Sequence, residues 1–347
     1  MREAGGNVTR LTDLLREQSS QNAPGPDAKS HMHLVAPTGL PLSPSIPASS
    51  ATEIDWYQRA CQELQGIKRA VHARQPWLLD EMARIASGIV ASIGAHDKLV
   101  QTVLQQEAGD YLVKNAVNVS IVSVKIAEAL RYEPAKLERV ALAGLLHDLG
   151  MFALPDSLLY KTGTLAAEER RQMKEHPQHG ARLFKDAGDV YPWVGKVILQ
   201  EHERWDGSGY PSQLTGNQID EVALIIGLAD VFDALMSARP NRSGGSPHRA
   251  IRTLLVEGKT VFPHHLLKAL IDQLSIYPLG TAVRLNTGET GIVFQLNRQY
   301  PLRPILQVSQ QALSGQSPVS KTVDLRADTS LHIVEVMPLG SISVDSR

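Results

Sequence analysis

The chain has 347 residues, 43% of them apolar, with 35 basic and 36 acidic side chains. That length allows more than one domain and a well-buried core, and a net charge of −1 removes the bulk electrostatic drive toward duplex nucleic acid or an anionic membrane. The single cysteine, Cys61, excludes an internal disulfide or a thiolate cage, the N-terminus lacks an apolar signal core, and no apolar run reaches the ~20 residues of a membrane span. A cytoplasmic protein is expected. Twelve histidines remain, and a metal site without cysteine must combine them with Asp or Glu.

Residues 1–50 read as a short helix (Val8 to Glu17) followed by a linker. Ser19 to Ser50 carries six prolines and seven serines and only Asp27 and Lys29 as charges, too little apolar surface to offset chain entropy. His31 and His33 fall there and read as solvated linker residues. Helical periodicity then predicts Ile54 to His72, Trp77 to Ile93 and Lys98 to Gln105, followed by Val113 to Leu130, apolar on nearly every side and so packed all round. Ala135 to Leu146 and Val222 to Met236 read as equally buried, and Ala166 to Phe184 and Tyr191 to Glu203 as amphipathic. After Pro278 the period shortens. Ala282 to Leu285 and Gly291 to Leu296 form a hairpin around Asn286-Thr287-Gly288, and Ile305 to Val308, Thr322 to Leu325 and Leu331 to Val336 add strands. This is a small β-module, a curled sheet or an SH3-like barrel.

The chemistry concentrates where acids and histidines interrupt apolar helices. His147-Asp148 ends the run from Val140 to Leu146, and a free carboxylate there must be solvated, paired or metal-bound. Asp230, with Asp233, interrupts Val222 to Met236; alone it reads as well as a structural acid as a ligand. His176-Pro177-Gln178-His179-Gly180 places a histidine at a helix break. Glu201-His202-Glu203 ends another helix and runs into Asp206-Gly207-Ser208-Gly209-Tyr210-Pro211. Together His147, Asp148, His176, Glu201, His202 and Asp230 form an N/O donor set suited to Fe, Mn or Zn, with Asp148 able to bridge two ions, as in two-metal phosphodiester hydrolysis.

From about Asp110 to Leu270 the chain resembles the HD-GYP branch of the HD phosphohydrolase superfamily. The resemblance is carried by His147-Asp148-Leu149-Gly150, Leu154-Pro155-Asp156, His176-Pro177 with Gly180, His202-Glu203-Arg204-Trp205-Asp206-Gly207-Ser208-Gly209-Tyr210-Pro211, and Ala229-Asp230-Val231-Phe232-Asp233-Ala234-Leu235. The β-module, with Leu285-Asn286-Thr287-Gly288-Glu289 and Pro301-Leu302-Arg303-Pro304, is similar to a tail on some members. The resemblance implies a mainly α fold, an HD-type helical bundle with an N-terminal helical extension and the C-terminal β-module, divided at 1–50, 51–109, 110–277 and 278–340. It implies a di- or trinuclear metal centre in the family, and for this chain one or two divalent ions, Fe or Mn, held by His147, Asp148, His176, Glu201, His202 and Asp230, with His147 and Asp148 catalytic. It further implies cyclic di-GMP as substrate, cleaved to pGpG or GMP beside Gly209, Tyr210 and Pro211, with Arg239 and Arg242 on the phosphates.

Four positions depart from the family pattern. Asn115 stands where members carry a ligating His, and Glu201 replaces the first His of a His-His-Glu run, shifting preference toward harder ions. Met151 replaces a Lys, and Arg239-Pro240-Asn241-Arg242-Ser243 keeps two arginines but loses a Tyr and a Lys. The expectation is therefore a cyclic di-GMP signalling protein with weakened hydrolysis. The alternatives are a non-catalytic cyclic di-GMP binder and a pure protein-interaction module for signalling partners; a homodimer is open. Among other candidates, His179 reads as an exposed helix position, His96-Asp97 as a helix cap and His264-His265 as an ordinary helix start. His72, His248 and His332 have no evident partner. Trp205 and Tyr210 are placed to stack on guanine.

Overall fold

The computed structural model describes residues 55–95, 98–105, 109–161, 163–186, 191–237, 247–274, 277, 280–297, 300, 303–310 and 319–337. The N-terminal helix and linker expected before residue 51, His96-Asp97, Arg239 and Arg242 lie outside them.

Helix α1 (Trp56–His72) begins where the Asp55 carboxylate accepts the Gln58 N–H, and it buries Tyr57, Ala60, Leu64 and Ile67 along one stripe. Helices α2 (Asp80–Ala95) and α3 (Lys98–Gln105) follow. Asp110 caps α4 (Tyr111–Ala129), which is buried without a break from Asn115 to Ala127. Such a helix has no solvent face and must be surrounded, and α1, α3, α5 (Pro134–Leu146), α10 (Glu221–Met236) and α12 (His264–Leu274) all pack on it. Gly144 on α5 permits the approach: a methyl group there would lie 2.6 Å from Ser120 Cα, and the Ser120 hydroxyl donates to Ala141 O at 2.9 Å.

Beyond α5 a 3-10 turn (Leu149–Ala153) and the short α6 (Asp156–Leu159) lead to α7 (Ala167–Met173) and α8 (His176–Asp186). The sequence reads 166–184 as one helix; the chain instead turns at Lys174-Glu175 and restarts at His176. Pro177 is the cause, since it cannot donate the backbone bond that would carry α7 onward. Helix α9 (Pro192–Gln200) stops short of the expected Glu203, so Glu201 sits on its last turn and His202 on the loop beyond. Helix α11 (Pro247–Glu257) completes the bundle.

The β-module is a five-stranded antiparallel sheet, β1 (Ala282–Leu285), β2 (Thr290–Gln295), β3 (Ile305–Gln310), β4 (Val319–Asp324) and β5 (Ile333–Val336), in the order β4-β3-β2-β1-β5. Among the described residues β4 and β5 do not pair, so both form edges of the sheet. Bulges interrupt it between Arg284 and Leu285 and between Val293 and Gln295. No described helix is long and apolar enough to cross a membrane.

One contact sets the geometry of the site. A methyl group at Gly150 would overlap the His176 carbonyl oxygen and come within 2.5 Å of the Gly180 N. Only glycine lets the turn after His147-Asp148 press onto the first turn of α8. Gly150→Ala should therefore cost about 3 kcal/mol, the upper end of typical forced overpacking, and lower Tm by roughly 5 °C. Gly66→Ala, in α1 with nothing within 4 Å of the added methyl, should be neutral or raise Tm. Thermal denaturation of the pair checks both.

Candidate metal centre

Four elements converge under α4. The end of α5 brings His147 and Asp148, the first turn of α8 brings His176, the end of α9 brings Glu201 and His202, and α10 brings Asp230. Asp148, His176, Glu201 and His202 place one donor atom each within 4.8 Å of one another. His176 Nε2 lies 3.2 Å from Asp148 Oδ1 and 3.4 Å from Glu201 Oε1, and His202 Nε2 lies 3.5 Å from Glu201 Oε1. His147 adjoins this group. Its Nε2 is 3.7 Å from Asp148, 3.9 Å from Glu201 and 4.0 Å from Asp230.

The tautomers follow from hydrogen bonding. His147 Nδ1 lies 2.8 Å from Gly144 O and His176 Nδ1 lies 2.7 Å from Met173 O. A carbonyl only accepts, so each Nδ1 carries a proton and each Nε2 turns its lone pair toward the acids. His176 Nε2 and His202 Nε2 then meet at 2.9 Å. His202 Nδ1 meets no hydrogen-bond partner, so its Nε2 either carries a proton toward His176 or presents a lone pair that needs a cation beside it. His147 Nε2, Asp148 Oδ1 and both Glu201 oxygens are buried without a well-formed hydrogen bond. Orphaned donors turned onto one region, from neutral imidazole and carboxylate, fit a divalent ion.

The electrostatics agree. Burial opposes charge on His147 and His176, yet the facing Glu201, Asp148 and Asp230 carboxylates hold His147 up at about 9, and Asp148 and Glu201 hold His176 at about 10. Burial raises Glu201 to about 7 and also raises Asp230. Asp148 is held below the usual range because His147 and His176 outweigh its burial. Burial, then His176 and Arg204, push His202 well down.

The loop after His202 is braced by its own residues. Glu203, fully buried, accepts Ser212 N at 2.6 Å and Leu214 N at 2.9 Å. Arg204 Nη1 donates to the carbonyls of Glu201 (2.9 Å) and Glu203 (3.0 Å), so this guanidinium is engaged with backbone. A side chain at Gly209 would come within 2.5 Å of Glu203 Cα and His202 O. The Tyr210 ring stacks on His202 at 4.7 Å and 19°, Lys174 Nζ lies 5.2 Å from its centre, and its hydroxyl is buried without a partner. Tyr210 thus braces a candidate ligand, whereas Trp205 remains 36% exposed.

A family model described as HD domain matches residues 69–262, and one described as KOW domain associated with HD domain matches 282–343. The chain is 33% identical over 313 residues to the cyclic di-GMP phosphodiesterase PA4108 of Pseudomonas aeruginosa, covering 88% of this chain and 75% of that protein. It belongs to the HD-GYP branch of the HD domain family. The cyclic di-GMP phosphodiesterase response regulator RpfG of Xanthomonas campestris is 38% identical over 154 residues, 44% of this chain and 41% of its own length. Bd1817, an HD-GYP-type protein of Bdellovibrio bacteriovorus, shares the fold at a TM-score of 0.52 and 23% identity, over 65% of this chain and 74% of that one.

Against the HD-GYP pattern the departures acquire geometry. Glu201, where the family resemblance expects a histidine, is one of the four clustered donors. Met151 packs among Leu154, Leu158 and Leu165. Asn115 turns its amide nitrogen, not its oxygen, toward the acids: Nδ2 donates to Asp230 Oδ1 at 3.1 Å and to Asp233 Oδ2 at 2.9 Å. His179 lies outside the four-residue group, and His265 pairs with Glu221 at 3.2 Å on the surface. Sequence reasoning assigned no role to Asn118, whose Nδ2 donates to Asp233 Oδ1 at 2.8 Å. The usable signal was a match of spacings. Asn115 and Asn118 lie three apart on one apolar helix, Asp230 and Asp233 three apart on another.

The raised imidazoles carry a sign. Without a cation, the stability they contribute is complete below about pH 6.5 and is lost as pH rises through about 9 and 10. Chelator-treated protein should melt progressively lower from pH 7 to pH 10, and Mn(II) should raise Tm more at pH 9 than at pH 7; a pH-independent gain would contradict the assignment. Asn115→His should remove both donors to buried acids and cost about 1–3 kcal/mol in ion-free protein, a loss that Mn(II) should largely reverse in the same melt.

Proposed function

We propose that this chain is a cyclic di-GMP signalling protein that hydrolyses the dinucleotide slowly, with one divalent cation, Mn or Fe, held tightly by Asp148, His176, Glu201 and His202. A second, weaker place lies against His147, Asp148 and Asp230. The observation that carries this reading is the set of buried donor atoms turned together without hydrogen-bond partners. The relatives named as cyclic di-GMP phosphodiesterases supply the substrate class.

A cation in this cage supplies Lewis acidity toward a phosphoryl oxygen and access to a nucleophile at neutral pH. Asp148 faces both His147 and His176 and so ties the two places together. While the weaker place is empty, His147, fixed by Gly144 O, can hold a proton at Nε2 and pass it to a leaving oxygen; once that place is filled the same nitrogen is a ligand. Glu203 and Gly209 keep the Tyr210-Pro211 loop against the cage, and Trp205 offers the exposed face for a guanine. Arg239 and Arg242 are retained as phosphate contacts, and the divisions at 110 and 278 as the domain plan. Hydrolysis is weakened because Asn115 presents N–H groups where a ligand would stand, and Met151 presents no charge. The same two observations favour a second reading, binding without turnover.

Metal content per chain should be measured first, followed by incubation with cyclic di-GMP and Mn(II) or Fe(II). Slow linear product is expected, abolished by His176→Ala and by Glu201→Gln. 3'3'-cGAMP belongs in the same assay, because a 3'3'-cGAMP-specific phosphodiesterase of Vibrio cholerae is 31% identical over 155 residues, 44% of this chain and 30% of its own length. Binding without product would replace the enzyme by the non-catalytic binder. Absence of binding to either dinucleotide would overturn the proposal.

A further inference from the structure

The HD domain match begins at residue 69, yet a buried hydrogen-bond chain that ends at Asp230 begins at Tyr57, on the inner face of α1. The Tyr57 hydroxyl donates to Asn118 Oδ1 at 2.9 Å. Asn118 Nδ2 donates to Asp233 Oδ1 at 2.8 Å, and Asp233 Oδ2 accepts Asn115 Nδ2 at 2.9 Å. The same nitrogen donates to Asp230 Oδ1 at 3.1 Å. All five residues are buried.

The chain has a fixed direction. An amide oxygen and a carboxylate only accept, so turning Asn118 over would set its oxygen against Asp233, and turning Asn115 over would set its oxygen between two acids. The Tyr57 hydroxyl satisfies the one acceptor, Asn118 Oδ1, that this orientation leaves facing away from Asp233. With its hydroxyl removed, a buried carbonyl loses its donor and the amide loses a restraint on its rotation. Asp233 then holds Asn115 less firmly, and Asn115 holds Asp230 less firmly. Each step is short and buried, and Ser237 Oγ adds only a longer bond to Asp233 Oδ2, at 3.4 Å.

Resting on the metal-centre reading above, we infer that Tyr57 is a positioning residue for the cation place formed by His147, Asp148 and Asp230. Helix α1 is then part of the centre's supporting framework and not an appendage to it. Tyr57 touches no ligand; it acts through Asn118, Asp233 and Asn115.

The test is a Mn(II) binding isotherm, read by electron paramagnetic resonance of the free ion, on full-length wild type, Tyr57→Phe and Leu64→Ala. Leu64 lies on the same buried stripe of α1 and makes no polar contact, so its truncation reports packing alone. Wild type should show two classes of site. Tyr57→Phe should weaken the looser class by roughly three- to tenfold, at or below the range for partners that orient ligands directly, and leave the tighter class unchanged. Leu64→Ala should lower Tm and move neither. In an Asn118→Ala background, Tyr57→Phe should add nothing further. An unchanged isotherm in Tyr57→Phe, an equal shift in Leu64→Ala, or a single class in wild type would each overturn the inference while leaving the four-residue cage standing. Wild type that binds no Mn(II) would overturn the metal centre and the inference together.

Discussion

The architecture turns on imidazole and carboxylate lone pairs forced to face one another in a dry interior. Gly144 O and Met173 O take the Nδ1 protons of His147 and His176, so both Nε2 atoms must look inward at Asp148, Glu201 and Asp230. Burying such a set without positive charge is costly, and the adjacent Arg204 is engaged with backbone carbonyls. A cation resolves the conflict, and protons do so in its absence. Much of the surrounding structure serves to keep these groups from moving apart.

That service falls to residues with little side chain or with side chains engaged away from the cation place. Gly150 lets two elements touch at backbone distance, and Gly227 leaves room on α10 for the Arg204 guanidinium, 2.9 Å from where a methyl would sit. Glu203, next to two candidate ligands, spends both oxygens on loop amides and so cannot serve as a third. Tyr210 supports His202 by stacking. A chemically rich sequence stretch thus divides into groups that face the cation place and groups that fix the loop, and only hydrogen-bond partners separate the two.

Asn115 sets the character of the Asp230 side of the cluster. Its amide bridges Asp230 and Asp233 with two N–H bonds, doing with dipoles part of what a cation would do with charge. The apolar run of α10 tolerates two acids because donors from α4 meet both. The cluster is therefore asymmetric, with the His176 and His202 side rich in candidate ligands and the Asp230 side clamped by amides.

Much of this was legible in the residues. Continuous apolar runs determined that α4 and α10 are surrounded, since a helix with no polar face has nowhere else to go. The spacing of His147-Asp148, His176, Glu201-His202 and Asp230 indicated which side chains belong to one chemistry. The break at Lys174-Glu175 was less legible, because apolar spacing runs through it and only Pro177 opposes it. What tertiary structure alone decided was direction. A sequence names an asparagine but not which end of its amide faces an acid, and it lists histidines without saying which nitrogen a distant carbonyl has claimed. Those choices are made by partners far along the chain, 115 residues away for Asn115 and Asp230 and 61 for Tyr57 and Asn118. Local pattern carries no record of such long-range pairings.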